Sequence, residues 1–372
     1  MVRRLSLVVL LLLATLLATA TPASAVGPFG PVVTVVNAPC PDFEGVSGDS
    51  VVGSDGTVRG FVSFEGGGCG FDPQIIYFEG SGSTWTAVTS PYHGRVLGVA
   101  WDGTATFLLH ATETAIRITK REGSTFTPGR VLSGSGVGGA TLPSGDVVAL
   151  AGKWWAVWSE QVGPGGEFAQ TELFQAYTMG PGRSRQRITF VTGLDDRNPT
   201  LVLAPTRDGQ VVMEWVRADI AQGVFSVIRI ASNAPGGSGT GWFSQPYTAT
   251  NRFAESPDLF LYGGSIFGAY VLDGRVIQAT NPPFGVVTNS FALGSSPRIG
   301  SSGGRTWVAY DSSGGTSHVR VGEATAPGVR TDIDLTPGAG PQHVISVSGR
   351  LARATVLGVS FGTNRLWART QT

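Results

Sequence analysis

The sequence predicts an all-β fold, and more specifically a single seven-bladed β-propeller. Its 54 glycines and 22 prolines stand in a chain of which 41% is hydrophobic. Many glycines among β-branched and aromatic residues are typical of short strands joined by tight turns. The hydrophobic content is too high for a disordered linker, and no long segment beyond the N-terminal leader has the 3.6-residue periodicity of a helix.

A repeated segment predicts the propeller. Short apolar stretches, most of them ending in an aromatic residue, recur along the chain and are each followed by a polar loop. They occupy residues 61–64, 107–110, 155–158, 212–215, 267–270 and 307–310, with a less regular copy at 356–359. Because side chains alternate between the two faces of a strand, the fourth position fills the same layer in every copy.

Each copy is flanked by further predicted strands. The strands that follow are residues 74–78, 115–119, 173–177, 225–230, 275–279, 318–322 and 365–369. An apolar strand also precedes several copies and is introduced by Pro199, Pro257 or Pro297, and more loosely by Pro341. Proline suits the first residue of a strand, which can spare its N–H group.

The unit length and the chain ends predict how the ring closes. The units recur at roughly 40 to 60 residues, which matches four strands per propeller blade. The last unit lacks one strand, so we expect residues 31–36 to pair with residues 365–369 and close the ring. A six- or eight-bladed ring and a pair of β-sandwiches are the competing architectures.

Residues 1–25 are predicted to be a signal peptide, which leaves residues 26–372 as one propeller domain. Arg3 and Arg4 precede an apolar run, and Ala23 and Ala25 fit a cleavage site for small residues. The run is shorter than the 18 or more apolar residues expected of a membrane anchor, and no later segment is apolar enough to span a bilayer. We therefore expect a secreted, extracellular protein.

Charge and cysteine content exclude some partners and predict a disulfide. The 26 basic and 26 acidic residues balance, so there is no sign of the basic patch expected of a nucleic-acid or acidic-membrane binder. Cys40 and Cys69 both follow the leader, and in an oxidising compartment their default state is a disulfide. Two thiols without nearby histidines make a poor metal site.

Two turns resemble those of a known family. Residues 78–85, which end in Gly82-Ser83-Thr84-Trp85, resemble a degenerate Asp-box of the sialidase-like propellers, and residues 120–126 resemble a second copy. The resemblance implies a propeller in which these turns follow the third strand of a blade. The Arg-Ile-Pro motif that carries the first sialidase arginine is absent, and Ser296-Pro297-Arg298-Ile299 has similar residues in another order. The resemblance therefore does not extend to sialidase activity.

Candidate ligand-binding residues lie where one blade passes to the next. They are Tyr92, His93, Asp195, Asp196, Arg197, Asn251 and Arg252. Aromatic faces pack against sugar C–H groups, while Asn, Asp and Arg bind hydroxyls. The acidic loop around Asp195 lacks the alternating oxygen ligands of a calcium loop, so turn formation is its simpler role.

A second set follows the prolines and is expected at the mouth of the central channel. It comprises Thr200, Asp258, Arg298 and Gln342. Asp258 and Arg298 either bind a polar ligand there or pair with each other as a salt bridge, which is the simpler interpretation.

No motif for a metal, a cofactor or a nucleophilic triad occurs. A Gly-x-Ser-x-Gly elbow and a phosphate-binding loop are missing, and the four histidines lack metal-ligand spacing. The sequence thus favours a non-catalytic recognition module that binds glycans of a cell surface or wall in a lectin-like manner, alone or within a larger secreted assembly. The alternative is a glycoside hydrolase or lyase that uses carboxylates from several blades, since propellers host both classes.

Overall fold

The structure is a computed structural model that describes most of residues 27–372. It does not describe residues 71, 135–141, 163–169, 180–181, 191–192, 204–210, 220–225, 234–241, 247–252, 263–264, 281–286, 303–304, 314–315, 324–327, 330–331, 339 and 351–352. The predicted signal peptide and the candidate residues Asn251 and Arg252 lie outside the described residues.

The described residues form 28 strands and one short 3-10 helix, which confirms the all-β prediction. The strands are β1 (Val33–Asn37), β2 (Gly45–Val52), β3 (Val58–Glu65), β4 (Gln74–Ser81), β5 (Thr84–His93), β6 (Arg95–Trp101), β7 (Ala105–Ala111), β8 (Ile116–Glu122), β9 (Thr125–Ser133), β10 (Gly145–Leu150), β11 (Lys153–Val162), β12 (Gln170–Tyr177), β13 (Arg183–Arg187), β14 (Leu194–Leu203), β15 (Val211–Asp219), β16 (Ser226–Asn233), β17 (Phe243–Pro246), β18 (Ala254–Tyr262), β19 (Ser265–Leu272), β20 (Arg275–Thr280), β21 (Val287–Ser302), β22 (Arg305–Ser312), β23 (Val319–Glu323), β24 (Gly328–Val329), β25 (Asp332–Asp334), β26 (Gln342–Arg350), β27 (Arg353–Ser360) and β28 (Arg365–Thr370).

The strands form five four-stranded antiparallel sheets and one eight-stranded sheet. The four-stranded sheets have the orders β2-β3-β4-β5, β6-β7-β8-β9, β10-β11-β12-β13, β14-β15-β16-β17 and β1-β28-β27-β26. In the eight-stranded sheet the long strand β21 pairs through its first half with β20 and through its second half with β22. Each of the seven repeated apolar segments lies in the second strand of its four-strand group.

The first and last strands of the described chain share a sheet. Strand β1 runs antiparallel to β28, with Val33 opposite Ala368 and Asn37 opposite Arg365. This is the pairing that the sequence predicts for residues 31–36 and 365–369, shifted slightly along the chain. The apolar contacts of Val35 and Leu366 extend to Phe64 of the first sheet, so the chain ends pack against the beginning of the fold.

A disulfide joins this junction covalently. Cys40 follows β1, Cys69 ends the 3-10 helix after β3, and the two Cα atoms lie 5.4 Å apart, which confirms the predicted bridge. The bond therefore links the segment after β1 to the first sheet.

Buried aromatic residues fill the space between sheets. Trp158, Trp215 and Tyr310, all at the repeated fourth position, are fully buried. One apolar cluster joins β7 to β11 across two sheets, and such burial contributes about 1.5–3 kcal/mol per large side chain. His110 takes the same repeated position and is buried too, with Nδ1 2.9 Å from the carbonyl oxygen of His93. Second strands are apolar because both of their faces are covered.

The prolines occupy a different position from the one predicted. Pro199, Pro257 and Pro297 lie inside their strands rather than at the start. Each follows a residue with positive φ, and the pairing register shifts at each of the three sites. A β-bulge leaves one residue out of the ladder, so a proline without an N–H group fits there at little cost.

Candidate functional site

The first strand in sequence of each four-strand group lines two cavities that meet end to end. These first strands are β2, β6, β10, β14, β18, the second half of β21 and β26. The outer cavity, of about 330 Å³, lies at the beginning of these strands, beside the three proline bulges. The inner cavity, of about 310 Å³, lies along their second halves. Five residues line both cavities: Asp49, Asp146, Thr200, Asp258 and Arg298. We call these five residues the waist.

The waist arises because one position recurs in each first strand. Thr200, Asp258 and Arg298 each stand directly after a proline bulge, and Asp49 and Asp146 occupy the same level of β2 and β10. The bulge turns the following side chain toward the cavities, since an extra residue bends the strand and re-aims its neighbour. Polar side chains from four sheets thus meet around one space.

Backbone hydrogen bonds fix the waist aspartates. Oδ2 of Asp49 accepts from the N–H of Val99 at 2.8 Å, and Oδ1 accepts from Ser50 at 2.7 Å. Asp146 and Asp258 bind the next first strand in the same way, through the N–H groups of Leu201 and Ile299, both at 2.7 Å. Asp49 and Asp146 therefore each join one sheet to the next, and Asp258 joins two strands within the eight-stranded sheet. All three carboxylates line the cavities.

At the level of the waist, the first strand that lies between those of Asp49 and Asp146 carries a glycine. Gly98 lies in β6, the first strand between β2 and β10, and a Cβ added to it would lie 2.7 Å from Oδ1 of Asp146. The carboxylate of Asp146 thus occupies the space that a side chain at position 98 would need. The lack of a side chain at position 98 leaves this space to the Asp146 carboxylate, whose pKa the charge of Asp49 raises.

Burial and mutual repulsion raise the pKa values of the waist carboxyl groups. Burial raises the pKa of Asp49 to about 6, against an opposing effect of Arg298, while Asp258 raises it further. Burial also raises the pKa of Asp146 well above its usual range, and the charges of Asp49 and Asp258 add to that effect. The pKa of Asp258 is raised by burial and is partly lowered by Arg298. Perturbed carboxyl groups that converge on a cavity are a common feature of catalytic sites.

A fourth carboxyl group lies behind the waist. Glu214 in β15 is 0% exposed, and neither carboxyl oxygen has a hydrogen-bond partner among the described residues. Its side chain approaches Gly268 of the next sheet, where an added Cβ would lie 3.3 Å from Oε1. Burial, with a smaller effect from Asp258, raises the pKa of Glu214 well above its usual range. Burial therefore favours the protonated form of this group.

The structure brings together part of the channel set that the sequence predicts. Thr200, Asp258 and Arg298 all line the waist, but Gln342 does not. Gln342 is buried, accepts from Nε1 of Trp367 at 3.1 Å and donates to the hydroxyl of Ser360. It stands at the very start of β26, before the bulge in that strand, so its level is different.

The predicted salt bridge between Asp258 and Arg298 is replaced by separate contacts. Nε of Arg298 donates to the carbonyl oxygen of Ile345 at 3.0 Å, and Asp258 accepts from Ile299. Among the residues that the structure describes, no ion pair within 4.0 Å joins Asp258 to Arg298. The guanidinium group still lowers the pKa of Asp258 through its charge.

Of the predicted loop residues, Tyr92 is buried and His93 is exposed. Tyr92 lies in β5 rather than on a loop, where its hydroxyl contacts the carbonyl oxygens of Thr127 and Lys120 at 2.6 and 3.0 Å. The ring packs edge-on against Phe126, because a tyrosine here fills the space between two sheets. Nδ1 of His93 lies 3.2 Å from the carbonyl oxygen of Asp72.

The predicted acidic loop belongs to a strand and is held by protein groups. Asp196 is buried and receives two hydrogen bonds of 2.7 Å from Arg217 and one of 2.8 Å from Nε1 of Trp215. Asp195 accepts from the N–H of Thr171 at 3.0 Å and lies 3.6 Å from Arg197. These residues line neither cavity, and their structural contacts use the groups that the sequence offered for a ligand.

Asp49 and Asp146 are the site residues that the sequence analysis missed. Both follow a glycine, in Gly48-Asp49 and Gly145-Asp146, and neither has the proline that marked the other first strands. Aligning the first strands by their repeat position places Asp146 in the column of Asp258, because each pairs with the third residue of its repeated segment. Asp49 pairs instead with Phe61, the first residue of its segment, so the repeat does not reveal it.

Two further features of the described residues bear on function. They contain no helix that is long and apolar enough to cross a membrane. In the same part of the chain, no group of three or more His, Cys, Asp or Glu side chains is arranged to hold a metal ion.

Solved structures of similar fold include several hydrolases. The chain resembles the α-L-arabinanase of Penicillium chrysogenum complexed with arabinobiose, with a TM-score of 0.53 and 10% identity over 92% of this chain and 98% of that one. It also resembles the GH93 α-L-arabinofuranosidase of Fusarium graminearum, with a TM-score of 0.51 and 12% identity over 92% and 97% of the two chains. A puromycin-hydrolyzing peptidase of Mycobacterium tuberculosis gives a TM-score of 0.51 at 13% identity, and 55% of that longer chain is covered. At these identities the likeness concerns the fold, and it supports a β-propeller.

The two comparisons that use the sequence alone give no match. No protein-family model matches the chain, and no curated protein matches it.

The comparisons correct the functional prediction. A non-catalytic, lectin-like recognition module was favoured because no catalytic motif was visible in the sequence, but the similar solved structures are hydrolases, two of them glycoside hydrolases. The favoured prediction is therefore wrong, and the comparisons agree better with its alternative, a glycoside hydrolase or lyase. Asp49, Asp146 and Asp258 lie on separate sheets and far apart in sequence, so they form no local sequence motif.

Proposed function

We propose that this protein is a glycoside hydrolase whose acid and base are aspartates of the waist. The observation that carries the proposal is the convergence of Asp49, Asp146 and Asp258, all with raised pKa values, between two cavities large enough for sugar residues. Glycoside hydrolysis commonly requires one protonated and one ionised carboxyl group, held apart by different environments.

The surroundings of the two groups suggest their roles. Arg298 opposes the rise in the pKa of Asp49, whereas it is not among the causes that shift Asp146. Asp146 therefore keeps its proton to higher pH and serves as the general acid for the glycosidic oxygen. Asp49 ionises first and takes a proton from the water that attacks the anomeric carbon. The bond to the leaving sugar breaks, water supplies the new hydroxyl, and the two protons balance.

The proposal includes a closed ring of seven four-strand blades. Among the described residues, hydrogen bonds from waist-level side chains link each first strand to the next except β6 to β10, and they include Thr200 to the N–H of Leu259 at 3.3 Å and Ser346 to Ser50 at 2.6 Å. The first half of β21 is the fourth strand of one group, and its second half is the first strand of the next group. The described strands therefore include seven first strands. The strand pairing of β1 with β28 supplies the outer strand of the last blade.

Export and substrate class are parts of the same proposal. The leader of residues 1–25 and the disulfide support a secreted protein with glycans as substrates. Because two similar structures are an arabinanase and an α-L-arabinofuranosidase, α-L-arabinofuranosides are the first substrates to try.

The experiment is a hydrolysis assay on the mature chain. We expect wild-type protein to release aryl aglycone from at least one member of a glycoside panel that begins with α-L-arabinofuranosides. The Asp146→Asn variant is expected to lose at least 100-fold in kcat/KM, since proton transfer typically contributes about 10²–10⁴. Asp55→Asn removes an aspartate that lines neither cavity and serves as the control. Absence of turnover on the whole panel would contradict the proposal.

A further inference from the structure

A histidine that lines the outer cavity forms a close pair with an aspartate. His343, the second residue of β26, lines this cavity. Its Nδ1 lies 2.6 Å from Oδ2 of Asp311, which is near the end of β22 in the neighbouring group of strands. The aspartate side chain is 6% exposed and the histidine side chain 30%.

The second oxygen of Asp311 is also engaged. Oδ1 accepts from the N–H of Val344 at 2.7 Å, so the carboxylate holds two consecutive residues of β26. At the repeat position of Asp311 the other second strands carry either apolar residues (Ala111, Val216 and Val271) or polar ones (Glu65, Ser159 and Ser360). Asp311 is the aspartate of this set, and it stands where it can hold His343.

This arrangement sets the tautomer of the imidazole. An ionised carboxylate only accepts hydrogen bonds, so Nδ1 of His343 must donate and carries the proton in the neutral ring. Nε2 is then an unprotonated acceptor. The two ring nitrogens point in widely different directions, so Nε2 is turned away from Asp311.

A second pair in the molecule has the same contact in another setting. Nδ1 of His318 lies 2.6 Å from Oδ2 of Asp334, but both side chains are 41% exposed and line neither cavity. It is therefore a matched control for His343, with the same hydrogen bond and no cavity.

We propose that the Asp311–His343 pair presents Nε2 to the outer cavity as a hydrogen-bond acceptor for a hydroxyl group of the bound sugar. His343 is a binding residue that contacts the substrate, and Asp311 is a positioning residue that sets its tautomer. Arg298 and Ser47 line the same cavity and supply a guanidinium and a hydroxyl group for other oxygens of the ligand. The sugar class rests on the proposed function, whereas the tautomer does not.

The first test is a measurement on the free protein. With four histidines in the chain, ¹⁵N NMR at about pH 8 resolves the tautomer of each neutral ring, and His343→Gln assigns the resonance. We expect His343 to be protonated on Nδ1. In Asp311→Asn the amide can donate to Nδ1 while its oxygen holds Val344, so the ring should change to the Nε2-protonated form. A wild-type ring protonated on Nε2 would overturn the proposal, irrespective of the result of any activity assay.

The second test uses arabinobiose as the ligand and an aryl arabinofuranoside as the substrate. We expect His343→Gln and Asp311→Asn each to raise KM by about three- to ten-fold with little change in kcat, the effect of one neutral hydrogen bond. His318→Gln should change neither constant, and arabinobiose should shift the Nε2 resonance of His343 but not that of His318.

The two proposals fail differently. Normal hydrolysis with an unchanged KM in both variants overturns the role of the pair and leaves the hydrolase standing. Failure of every glycoside to bind or react overturns the proposed function and the sugar class together, while the tautomer measurement still decides the geometry of the pair.

Discussion

The hydroxyl groups of Ser50 and Ser346 share a hydrogen bond of 2.6 Å although the two residues are 296 positions apart in sequence. Ser50 lies in the first strand of the first sheet, and Ser346 lies in the first strand of the sheet that contains both chain ends. The contact joins the terminal sheet to the first sheet, which β1 and the disulfide also hold together. We call this region the junction. The stability of the whole fold should therefore depend on this junction.

Removing a buried side chain from β1 tests that dependence. Val35 is buried between the terminal sheet and the first sheet, so Val35→Ala is expected to lower the free energy of unfolding by about 2 kcal/mol in a single transition. Asn37→Ala changes an exposed residue of the same strand and should have little effect. Urea unfolding of the three proteins measures the difference. Equal stability of Val35→Ala and wild type would mean that β1 frays independently of the domain.

The disulfide should stabilise the same junction. The bridge between Cys40 and Cys69 spans a sequence separation of 29. Restricting a loop of that size in the unfolded chain stabilises by about 2–4 kcal/mol in the chain-entropy description. The double variant Cys40→Ala/Cys69→Ala should lose that amount in urea unfolding, and unreduced, unfolded wild-type protein should show no thiol to labelling reagents. Two labelled thiols would contradict the bridge.

Gly98 should be needed for the position of Asp146. An added Cβ would meet the backbone of Asp146 at 2.8 Å and its Oδ1 at 2.7 Å, so Gly98→Ala must push β6 and β10 apart. We expect a lower melting temperature together with a loss of catalytic rate. An added Cβ at Gly134 would lie within 4 Å of no described atom, and Gly134→Ala should leave both quantities nearly unchanged. A fully active and stable Gly98→Ala would show that the carboxylate does not occupy this gap.

Glu214 should make the stability depend on pH. Its folded-state pKa is raised above the ordinary value of 4.5, so the unfolded chain ionises first as pH rises. The stability contribution is therefore present below pH 4.5 and is lost as pH increases toward the folded-state pKa, at up to about 1.4 kcal/mol per pH unit. Glu214→Gln should flatten that loss relative to wild type, and exposed Glu113→Gln should not. Parallel stability–pH curves for all three proteins would show that Glu214 is not held in its protonated form.

The sequence predicts the architecture better than the site because the two leave different signals. Repeated strands such as β11 and β22 are covered on both faces, so their apolar, aromatic pattern is visible in the sequence. The pairing of β1 with β28 follows from counting strands. The waist depends on which sheet edges meet in space, and Asp49 and Asp146 are separated by a whole sheet in the chain.

Two of the candidate loop residues, Tyr92 and Asp196, are buried in strands for a common physical reason. Loop position was used to predict ligand contact, but Tyr92 packs between sheets and Asp196 binds Arg217 inside the structure. Aspartates and tyrosines near strand ends often satisfy buried backbone or arginine groups, and the sequence does not show which partner they meet.

The pH dependence of kcat/KM tests the catalytic role of the waist most directly. Asp49 must be ionised and Asp146 protonated, so the profile should be bell-shaped, with an acidic limb near pH 6 set by Asp49 and an alkaline limb set by Asp146. Asp146→Asn should remove the alkaline limb, and Asp49→Asn should remove the acidic limb, each with a large loss of rate and a retained fold. Both variants retaining wild-type rates and the full bell would contradict the account, because the waist aspartates would then be structural ties between sheets and nothing more.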